Sequence, residues 1–305
     1  MNDFPKAYVV PHEGVATVSF HGLPTQHLVT GEMTDGRICI TRSNSKKGGS
    51  TPPHRHQFSE CFYLLSGGLH FRGGNAEADL VAGEAIHLPG EVAHQPSHLL
   101  DEDSEVIVIC SPAGFESFQR EVVGLGVEKF AEIAAKYGIE LPVAEEELQK
   151  LAPIHLARRE NNDRCVVAAG DLYRFLVTGK ESDGAFALWH ATVPPSGGPP
   201  AHIHRNEIEI FYMLSGTLRF HDGETAVDAT AGMTLVMPRG NQHRFENQSD
   251  ANAEVLILVT PAGLEEMFLK IGKPWSHGMP IHAPDMQEQI LLAEIAPTFG
   301  IELVL

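Results

Sequence analysis

Residues 54–67 read HRHQFSECFYLLSG, and residues 202–216 read HIHRNEIEIFYMLSG. Both stretches open with two histidines one residue apart, continue through a glutamate and a Phe-Tyr pair, and end in Leu-Ser-Gly. Such a match within one chain marks an internal repeat, which has to be recognised before any element is assigned. We therefore expect the chain to carry the same fold twice.

The match extends outward from these two stretches. Upstream, HLVTG at 27–31 returns as FLVTG at 175–179, and downstream His94 returns as His243. The copies are offset by about 150 residues, which is too long for the repeat unit of a solenoid. The repeat is therefore a duplicated domain.

Length and composition bound what these domains can be. The 305 residues predict two domains, which we place at residues 1–150 and 151–305. Hydrophobic residues make up 43% of the chain, enough for real cores, and the four cysteines form no CxxC pair, which predicts reduced, buried thiols.

Charge and hydropathy narrow the choice of partners and compartment. The formal net charge of −18 argues against a nucleic acid or an anionic membrane surface as partner. No apolar run approaches the roughly 20 residues that a spanning helix needs, so we expect no membrane association. The start of the sequence, MNDFPKAYVV, shows no signal peptide, and the chain is expected to be cytoplasmic.

Short β-rich runs separated by Gly, Pro, Asn and Asp dominate both copies, and such runs indicate an antiparallel sandwich or barrel. Examples are residues 37–42, 62–65, 69–72 and 106–110, echoed by 186–191, 211–214, 218–220 and 255–259. Apolar residues at helical spacing follow in 116–137, 264–271 and 286–295, and residues 141–161 are expected to be a linker. The predicted fold class is all-β with peripheral helices.

The histidines suggest metal sites. A His-x-His pair on a strand places both imidazoles on one face, and each copy adds a glutamate and a further histidine downstream. Three imidazoles and one carboxylate suit Fe, Mn, Co, Ni or Zn, and two open coordination positions could take substrate or O2. The predicted ligands, for up to two divalent transition metals per chain, are His54, His56, Glu60 and His94, and His202, His204, Glu209 and His243.

The spacing within each set predicts its local geometry. Glu60 follows His56 by four positions, whereas Glu209 follows His204 by five. On one continuous strand this difference would turn the two glutamates to opposite faces, so we expect a turn between the histidines and the glutamate. Alternation along the second strand then sends four apolar side chains into the interior, namely Phe62, Leu64, Phe211 and Met213. An apolar interior with a metal on its wall predicts a small-molecule pocket.

These residues carry a family resemblance. The spacing Gly48-x5-His54-x-His56-x3-Glu60-x6-Gly67, followed by Gly83-x5-Pro89-x4-His94, resembles the two motifs of the cupin superfamily, and the second copy matches equally well. The resemblance covers roughly residues 27–118 and 175–268. It implies two tandem cupin barrels, each a double-stranded β-helix or jelly roll, with a homodimer as a common assembly.

Among bicupins, the Pro-Pro-x-His-x-His and Glu-x-Phe-Tyr contexts look most like quercetin 2,3-dioxygenase and its relatives. That resemblance implies a dioxygenase that cleaves a flavonol-like aromatic enol with O2 and loss of CO. Glu60 or Glu209 would act as metal ligand and general base, with a carboxyl pKa lifted by desolvation.

Three alternatives stay open at this point: an oxalate-decarboxylase-like bicupin, an isomerase, and a non-catalytic metal-dependent binding module. An oxalate dianion calls for an arginine aimed into the barrel, for which Arg72 and Arg219 are candidates, although alternation points Arg219 outward.

Two further segments have open roles. Residues 272–284 could form a lid or a plain surface loop, and the tails 138–141 and 300–303 could dock across an interface.

Overall fold

The structure is a computed structural model of the chain that describes residues 5–20, 23–98, 103–223, 225–281 and 284–304. Its backbone contacts divide the chain into two compact units. The N-terminal unit is Val15–Arg159, and the C-terminal unit is Glu160–Leu305 together with Met1–Gly14. None of the described helices is long and apolar enough to cross a membrane.

The division differs from the predicted domains 1–150 and 151–305 at two places. Strand β1 (Tyr8–Val10) pairs with Thr234–Met237 and so belongs with the second copy. Residues 155–157 pair with Ala85–Leu88 of the first copy, so part of the expected linker extends an N-terminal sheet. Backbone hydrogen bonds to strands far away in the sequence determine both assignments. The local sequence contains no pattern that predicts these bonds.

The N-terminal unit consists of a seven-stranded, a three-stranded and a two-stranded sheet, ordered β13-β9-β6-β11-β4-β3-β2, β10-β7-β8 and β12-β5. Its strands are β2 (Thr17–Phe20), β3 (Leu23–Val29), β4 (Cys39–Ser45), β5 (Arg55–His56), β6 (Ser59–Ser66), β7 (Gly68–Gly73), β8 (Ala76–Val81), β9 (Ala85–Leu88), β10 (His94–His98), β11 (Ser104–Ser111), β12 (Ile139–Glu140) and β13 (His155–Ala157). Two helices follow β11, α1 (Phe115–Val122) and α2 (Val127–Lys136).

The C-terminal unit has an eight-stranded sheet, β1-β21-β18-β23-β16-β15-β14-β24, and a five-stranded sheet, β20-β19-β22-β17-β25. Its strands are β14 (Cys165–Ala168), β15 (Asp171–Val177), β16 (Ala187–Val193), β17 (His202–His204), β18 (Ile208–Ser215), β19 (Thr217–Asp222), β20 (Thr225–Thr230), β21 (Thr234–Met237), β22 (Gln242–Glu246), β23 (Ala253–Thr260), β24 (Lys273–Pro274) and β25 (Ile301–Leu303). Its helices are α3 (Leu264–Ile271) and α4 (Met286–Ile295). The all-β class with peripheral helices is confirmed.

In each unit the sheets share one apolar core. Alternate residues of β6 and β11 pack against β7 and β8 in the N-terminal unit, and β18 and β23 pack against β19 in the C-terminal unit. The predicted interior residues lie in these cores, namely Phe62, Leu64, Phe211 and Met213. All four cysteines are buried and free, as predicted.

The glycine that ends each quoted motif closes a tight turn between two strands. Gly67 and Gly216 have φ angles of 72° and 74°, in the left-handed region that favours glycine. A Cβ at Gly67 would lie 2.5 Å from the carbonyl oxygen of Asp103. Through this turn the chain passes from the sheet that carries the glutamate to the opposing sheet.

The two copies are in register with one another. On β3 and β4, Thr25 faces Ser43 and His27 faces Thr41. The corresponding pairs on β15 and β16 are Tyr173 with Ala191, and Phe175 with Trp189. Position 27 therefore corresponds structurally to 175, and position 41 to 189, so the residues of the two interiors can be compared one by one.

Candidate metal centres

The N-terminal centre joins side chains from three segments. His54 bridges to His94 at the start of β10, His56 ends β5, and Glu60 lies near the start of β6. One ligand atom from each of these four residues lies within 4.8 Å of the others. The predicted turn between His56 and Glu60 is present, because β5 ends at His56 and β6 begins at Ser59.

Each histidine of this centre is oriented from behind by a backbone carbonyl. The Nδ1 atoms of His54, His56 and His94 lie 2.9, 2.7 and 2.8 Å from the carbonyl oxygens of Pro52, Phe58 and Val92. A carbonyl oxygen can only accept, so each Nδ1 is the protonated nitrogen. This outer contact fixes the tautomer and the ring, as is usual for a metal-binding histidine.

The donor set fits a cation. The Nε2 atoms of His56 and His94 lie 3.0 and 3.1 Å from Oε2 of Glu60, so nitrogen and carboxylate atoms converge on one point. A bound cation would take the place of the imidazole protons that otherwise bridge to this carboxylate. Three imidazole nitrogens and one carboxylate therefore suit a divalent transition metal.

The C-terminal centre repeats this arrangement on β17, β18 and β22. The ligand atoms of His202, His204, Glu209 and His243 also lie within 4.8 Å of one another. Nε2 of His243 and of His204 lie 2.9 and 3.1 Å from Oε2 of Glu209. All eight predicted ligands thus fall into the two predicted sets.

One outer contact differs between the centres. Nδ1 of His204 faces the buried carboxylate of Glu207 at 3.4 Å, where its counterpart His56 faces a backbone carbonyl. Glu207 lies in the segment lengthened by one residue, between His204 and Glu209. We did not predict this residue, although the insertion marks its position.

Burial and neighbouring charges set the protonation of both centres. Burial, with the adjacent imidazoles, lowers the pKa of His54 and of His202 to about 3. Burial also lowers the pKa of His204, but Glu209 and Glu207 outweigh it and raise that pKa to about 9.

The expected upward shift of the carboxyl pKa is wrong for both glutamates. Burial does raise the pKa of Glu60, but His56 and His94 outweigh it through charge and hydrogen bonding, so the pKa lies well below its usual range. His204 and His243 act in the same way on Glu209. Both carboxyls are therefore ionised at neutral pH.

A cavity of about 350 Å³ adjoins the N-terminal centre and includes His54, His56 and Glu60 in its wall. That volume lies in the range of small-molecule sites. The wall is mostly apolar, and five phenylalanines contribute to it, namely Phe20, Phe62, Phe115, Phe118 and Phe130. A few polar side chains interrupt it, Gln119 among them.

The C-terminal cavity is only about 50 Å³, although it too includes metal-site residues. Tyr173 and Trp189 occupy the positions that Thr25 and Thr41 hold in the first copy. Tyr173 and Trp189 both line the C-terminal cavity, and Trp189 is 1% exposed. Large side chains therefore border the small C-terminal cavity at two positions where the N-terminal copy has threonines.

The arginines expected for a dianion are engaged elsewhere. Arg72 bonds to Gln95 and pairs with Glu145, and Arg219 pairs with Asp228, with both guanidinium groups partly exposed. Neither arginine contributes to the wall of either cavity. No lysine or arginine does so among the described residues.

The described residues of 272–284 contribute to neither cavity wall. Within this loop, Trp275 donates its Nε1–H to the carbonyl oxygen of Met279. Residues 282 and 283 lie outside the described residues. The surface-loop interpretation fits these contacts.

Comparison with protein families identifies the duplicated unit. The model described as a cupin domain matches residues 42–110 and again residues 189–259. The chain carries two cupin domains. The quoted motifs and both sets of predicted ligands lie within or beside these matches, so the bicupin resemblance is confirmed.

Known proteins resemble parts of this bicupin. It is 30% identical over 125 residues to quercetin 2,3-dioxygenase of Aspergillus japonicus, which covers 39% of this chain and 35% of that protein. It is 33% identical over 67 residues to an oxalate-binding protein of Thermotoga maritima, covering 22% of this chain and 55% of that protein. This bicupin therefore matches about a third to a half of the length of these relatives.

A solved bicupin resembles the whole fold. Oxalate decarboxylase of Lactobacillus farciminis, in a formate complex, superposes with a TM-score of 0.61. The superposition covers 85% of this chain and 87% of that chain at 16% identity. At this identity the likeness shows only the fold of the bicupin. Its reaction has to be inferred from the residues of the site.

Proposed function

We propose that this bicupin is a metal-dependent dioxygenase that acts on a small aromatic enol of the flavonol type at its N-terminal centre. The observation that carries the proposal is the cavity of about 350 Å³, whose wall joins His54, His56 and Glu60 to a cluster of phenylalanine rings. Phe20, Phe115 and Phe118 lie with ring centroids 5.8 to 6.0 Å apart. Such a wall favours a flat aromatic ligand.

His54, His56, His94 and Glu60 would hold a divalent ion at this centre, with Fe, Mn, Co and Ni as candidates and Zn possible. When bound, the ion would supply a Lewis-acidic position for the enol oxygen and redox chemistry towards O2. The partners of the proposed reaction are thus the aromatic substrate and O2.

Glu60 has a second role in this proposal. Its carboxylate is ionised at neutral pH, lies in the cavity wall, and is held between His56 and His94. It would accept the proton of the enol hydroxyl as the substrate binds, which is the task of a general base. The surrounding phenylalanines would keep water from the deprotonated ring.

The C-terminal centre would hold a second metal ion through its own four residues. Its cavity of about 50 Å³ has space for water or O2 but not for a multi-ring substrate. We therefore assign turnover to the N-terminal centre, with Glu60 rather than Glu209 as the catalytic carboxylate.

An oxalate-decarboxylase-like reaction is the second candidate, and the oxalate-binding relative favours it. A small dianion is bound most strongly where a cation faces it in a desolvated site. The cavity walls hold no lysine or arginine among the described residues, which favours the aromatic enol.

The test is turnover of 3-hydroxyflavone in air by the metal-reconstituted chain, followed by O2 uptake and CO release. We expect turnover in the wild type and in Glu209→Gln, and a loss of at least about 100-fold in Glu60→Gln. Oxalate serves as the parallel substrate and should be left unchanged. Oxalate consumption without flavonol consumption would establish the second candidate, and consumption of neither would leave a binding module.

A further inference from the structure

A buried polar pair crosses the N-terminal unit from β3 to α1. Nε2 of His27 lies 3.0 Å from Oε1 of Gln119. The amide oxygen can only accept, so His27 donates its Nε2–H. Burial lowers the pKa of His27, which keeps the ring neutral at pH 7.

This contact leaves the amide nitrogen of Gln119 available. Gln119 is 2% exposed and lines the cavity, yet its amide nitrogen donates to no acceptor among the described residues. A side-chain N–H donor that lines a cavity and has no protein acceptor is available to a ligand. Here the partner would be a ligand in the cavity.

The second copy provides an internal comparison. Glu116 and Glu265 each accept hydrogen bonds from two corresponding glycine N–H groups, which aligns α1 with α3. Three residues further along, Gln119 corresponds to Phe268, and His27 corresponds to Phe175. Both members of the polar pair are phenylalanine in the copy whose cavity is nearly filled.

Gln119 and the metal centre share one cavity. Gln119 contributes to the same cavity wall as His54, His56 and Glu60. The strands β11 and β4 separate Glu60 on β6 from His27 on β3, so the pair of His27 with Gln119 lies several strands away from the metal centre. A substrate bound to the metal through its enol would therefore meet Gln119 with a part of its ring system remote from that enol.

We propose that Gln119, oriented by His27, is a specificity-determining donor that binds an acceptor oxygen on the part of the substrate remote from the metal-bound enol. The inference rests on the proposed function, and it narrows the substrate class to aromatic enols with such a second oxygen. His27 is a positioning residue in this account. Its ring turns the amide so that both N–H groups face the ligand.

The test compares equilibrium binding of two ligands under argon, followed by the absorbance change of the flavonol. Quercetin carries oxygens on its outer rings, whereas 3-hydroxyflavone has none there. We expect Gln119→Leu to weaken quercetin binding about 10-fold and 3-hydroxyflavone binding less than about 2-fold. His27→Phe should act in the same direction, and His27→Gln, which retains a donor, should restore part of the loss.

Phe268→Leu is the matched control on α3 and should change neither affinity. Gln119→Glu keeps the size and the contact to His27 but removes both N–H donors, so it should lose quercetin affinity even if Gln119→Leu is unstable. Equal weakening of both ligands, or no change in either, would overturn the inference and leave the proposed function intact. A wild-type chain that binds neither flavonol would overturn both.

Discussion

Differences at single positions explain why the two copies of one fold have different interiors. Thr25 and Thr41 in the first copy correspond to Tyr173 and Trp189 in the second. The larger pair fills the space beside the C-terminal centre, and Trp189 packs against Tyr173 and Phe175. This asymmetry is not expected of a chain with two identical binding pockets. It is expected of a chain in which one barrel binds substrate and the other is filled by its own side chains.

Trp189 should therefore contribute strongly to the stability of the chain. Replacing it with the residue of the first copy, in Trp189→Thr, removes a fully buried ring and is expected to cost about 3 to 5 kcal/mol of unfolding free energy in urea. Thr41→Val is the control, because the Thr41 hydroxyl is buried without a partner among the described residues and its loss should be neutral or stabilising. A small effect of Trp189→Thr would mean that the ring is not part of a packed core.

Asp171 should make stability depend on pH. Burial raises the pKa of its carboxyl from 3.8 to about 8. Between these values the folded state keeps a proton that the unfolded state releases, so stability falls as pH rises from about 4 to about 8, by up to about 1.4 kcal/mol per pH unit. Asp171→Asn should flatten this dependence in urea unfolding. Parallel pH profiles for the two proteins would show that the carboxyl is already ionised in the folded chain.

The two clusters of candidate ligands could be predicted at this scale because the repeat doubles the same His-x-His, Glu and downstream His positions. Glu207 and the pair of His27 with Gln119 could not, because each acts on a partner that only the folded chain reveals. Comparing the copies position by position offered a signal, since His27 and Gln119 both become phenylalanine. The direction of the Glu60 pKa was also missed, because it depends on two imidazoles brought there by the fold.

At the scale of elements, each His-x-His strand pairs with a short strand from the C-terminal part of its own copy. Strand β12 pairs Ile139 with His56, and β25 pairs Ile301 with His204. The role of the tails 138–141 and 300–303 was left open by the sequence, with docking across an interface as one candidate, and within the described residues they extend the sheets that carry the candidate metal-site histidines. These pairings hold the backbone of the His-x-His segments in place.

Removing β25 should therefore weaken the C-terminal centre. We expect a chain that ends at Gly300 to bind metal at this centre about 10-fold or more weakly, because the backbone of His202 and His204 loses one of its two partner strands. The measurement is metal affinity in a His56→Ala background, where only the C-terminal centre binds. The His204→Ala background with the same truncation is the control, and its affinity should not change. Unaltered affinity in the first background would show that β25 does not support the centre.

Strand and helix positions followed well from the sequence, because alternation and helical spacing are local properties. The predicted helices 264–271 and 286–295 coincide with α3 and α4, and α1 and α2 fall within 116–137 apart from Phe115. The glycines at 124 and 126 lie between the latter two helices. Short strands such as β1, β12 and β24 carry too few residues for a pattern, and they were missed.

At the scale of the whole molecule, the N-terminal arm completes the second copy rather than the first. Beyond the pairing of β1 with β21, the backbone N–H of Ala7 donates to Asp222, and Asn241 donates to both Asp222 and the carbonyl oxygen of Pro5. The duplication could be predicted from the sequence. The pairing of the N-terminal arm with the second copy could not, because it depends on a strand of only three residues.

Deleting residues 2–14 should accordingly destabilise the C-terminal unit. We expect amides of β21 to lose protection from hydrogen exchange, because β21 becomes an exposed edge, while amides of β6 and β11 keep theirs. Hydrogen exchange followed by mass spectrometry compares these peptides in one sample. Equal loss of protection in both units would contradict the assignment of the arm to the C-terminal unit.

The central claim is that two three-histidine, one-glutamate sets bind transition metals independently. The most direct test is metal content per chain by mass spectrometry, on untagged protein reconstituted with Fe, Mn, Co or Ni and freed of excess ion. We predict about two equivalents in the wild type and about one in each of His56→Ala and His204→Ala. A chain that retains no metal after reconstitution, or a content unchanged by both substitutions, would contradict the claim.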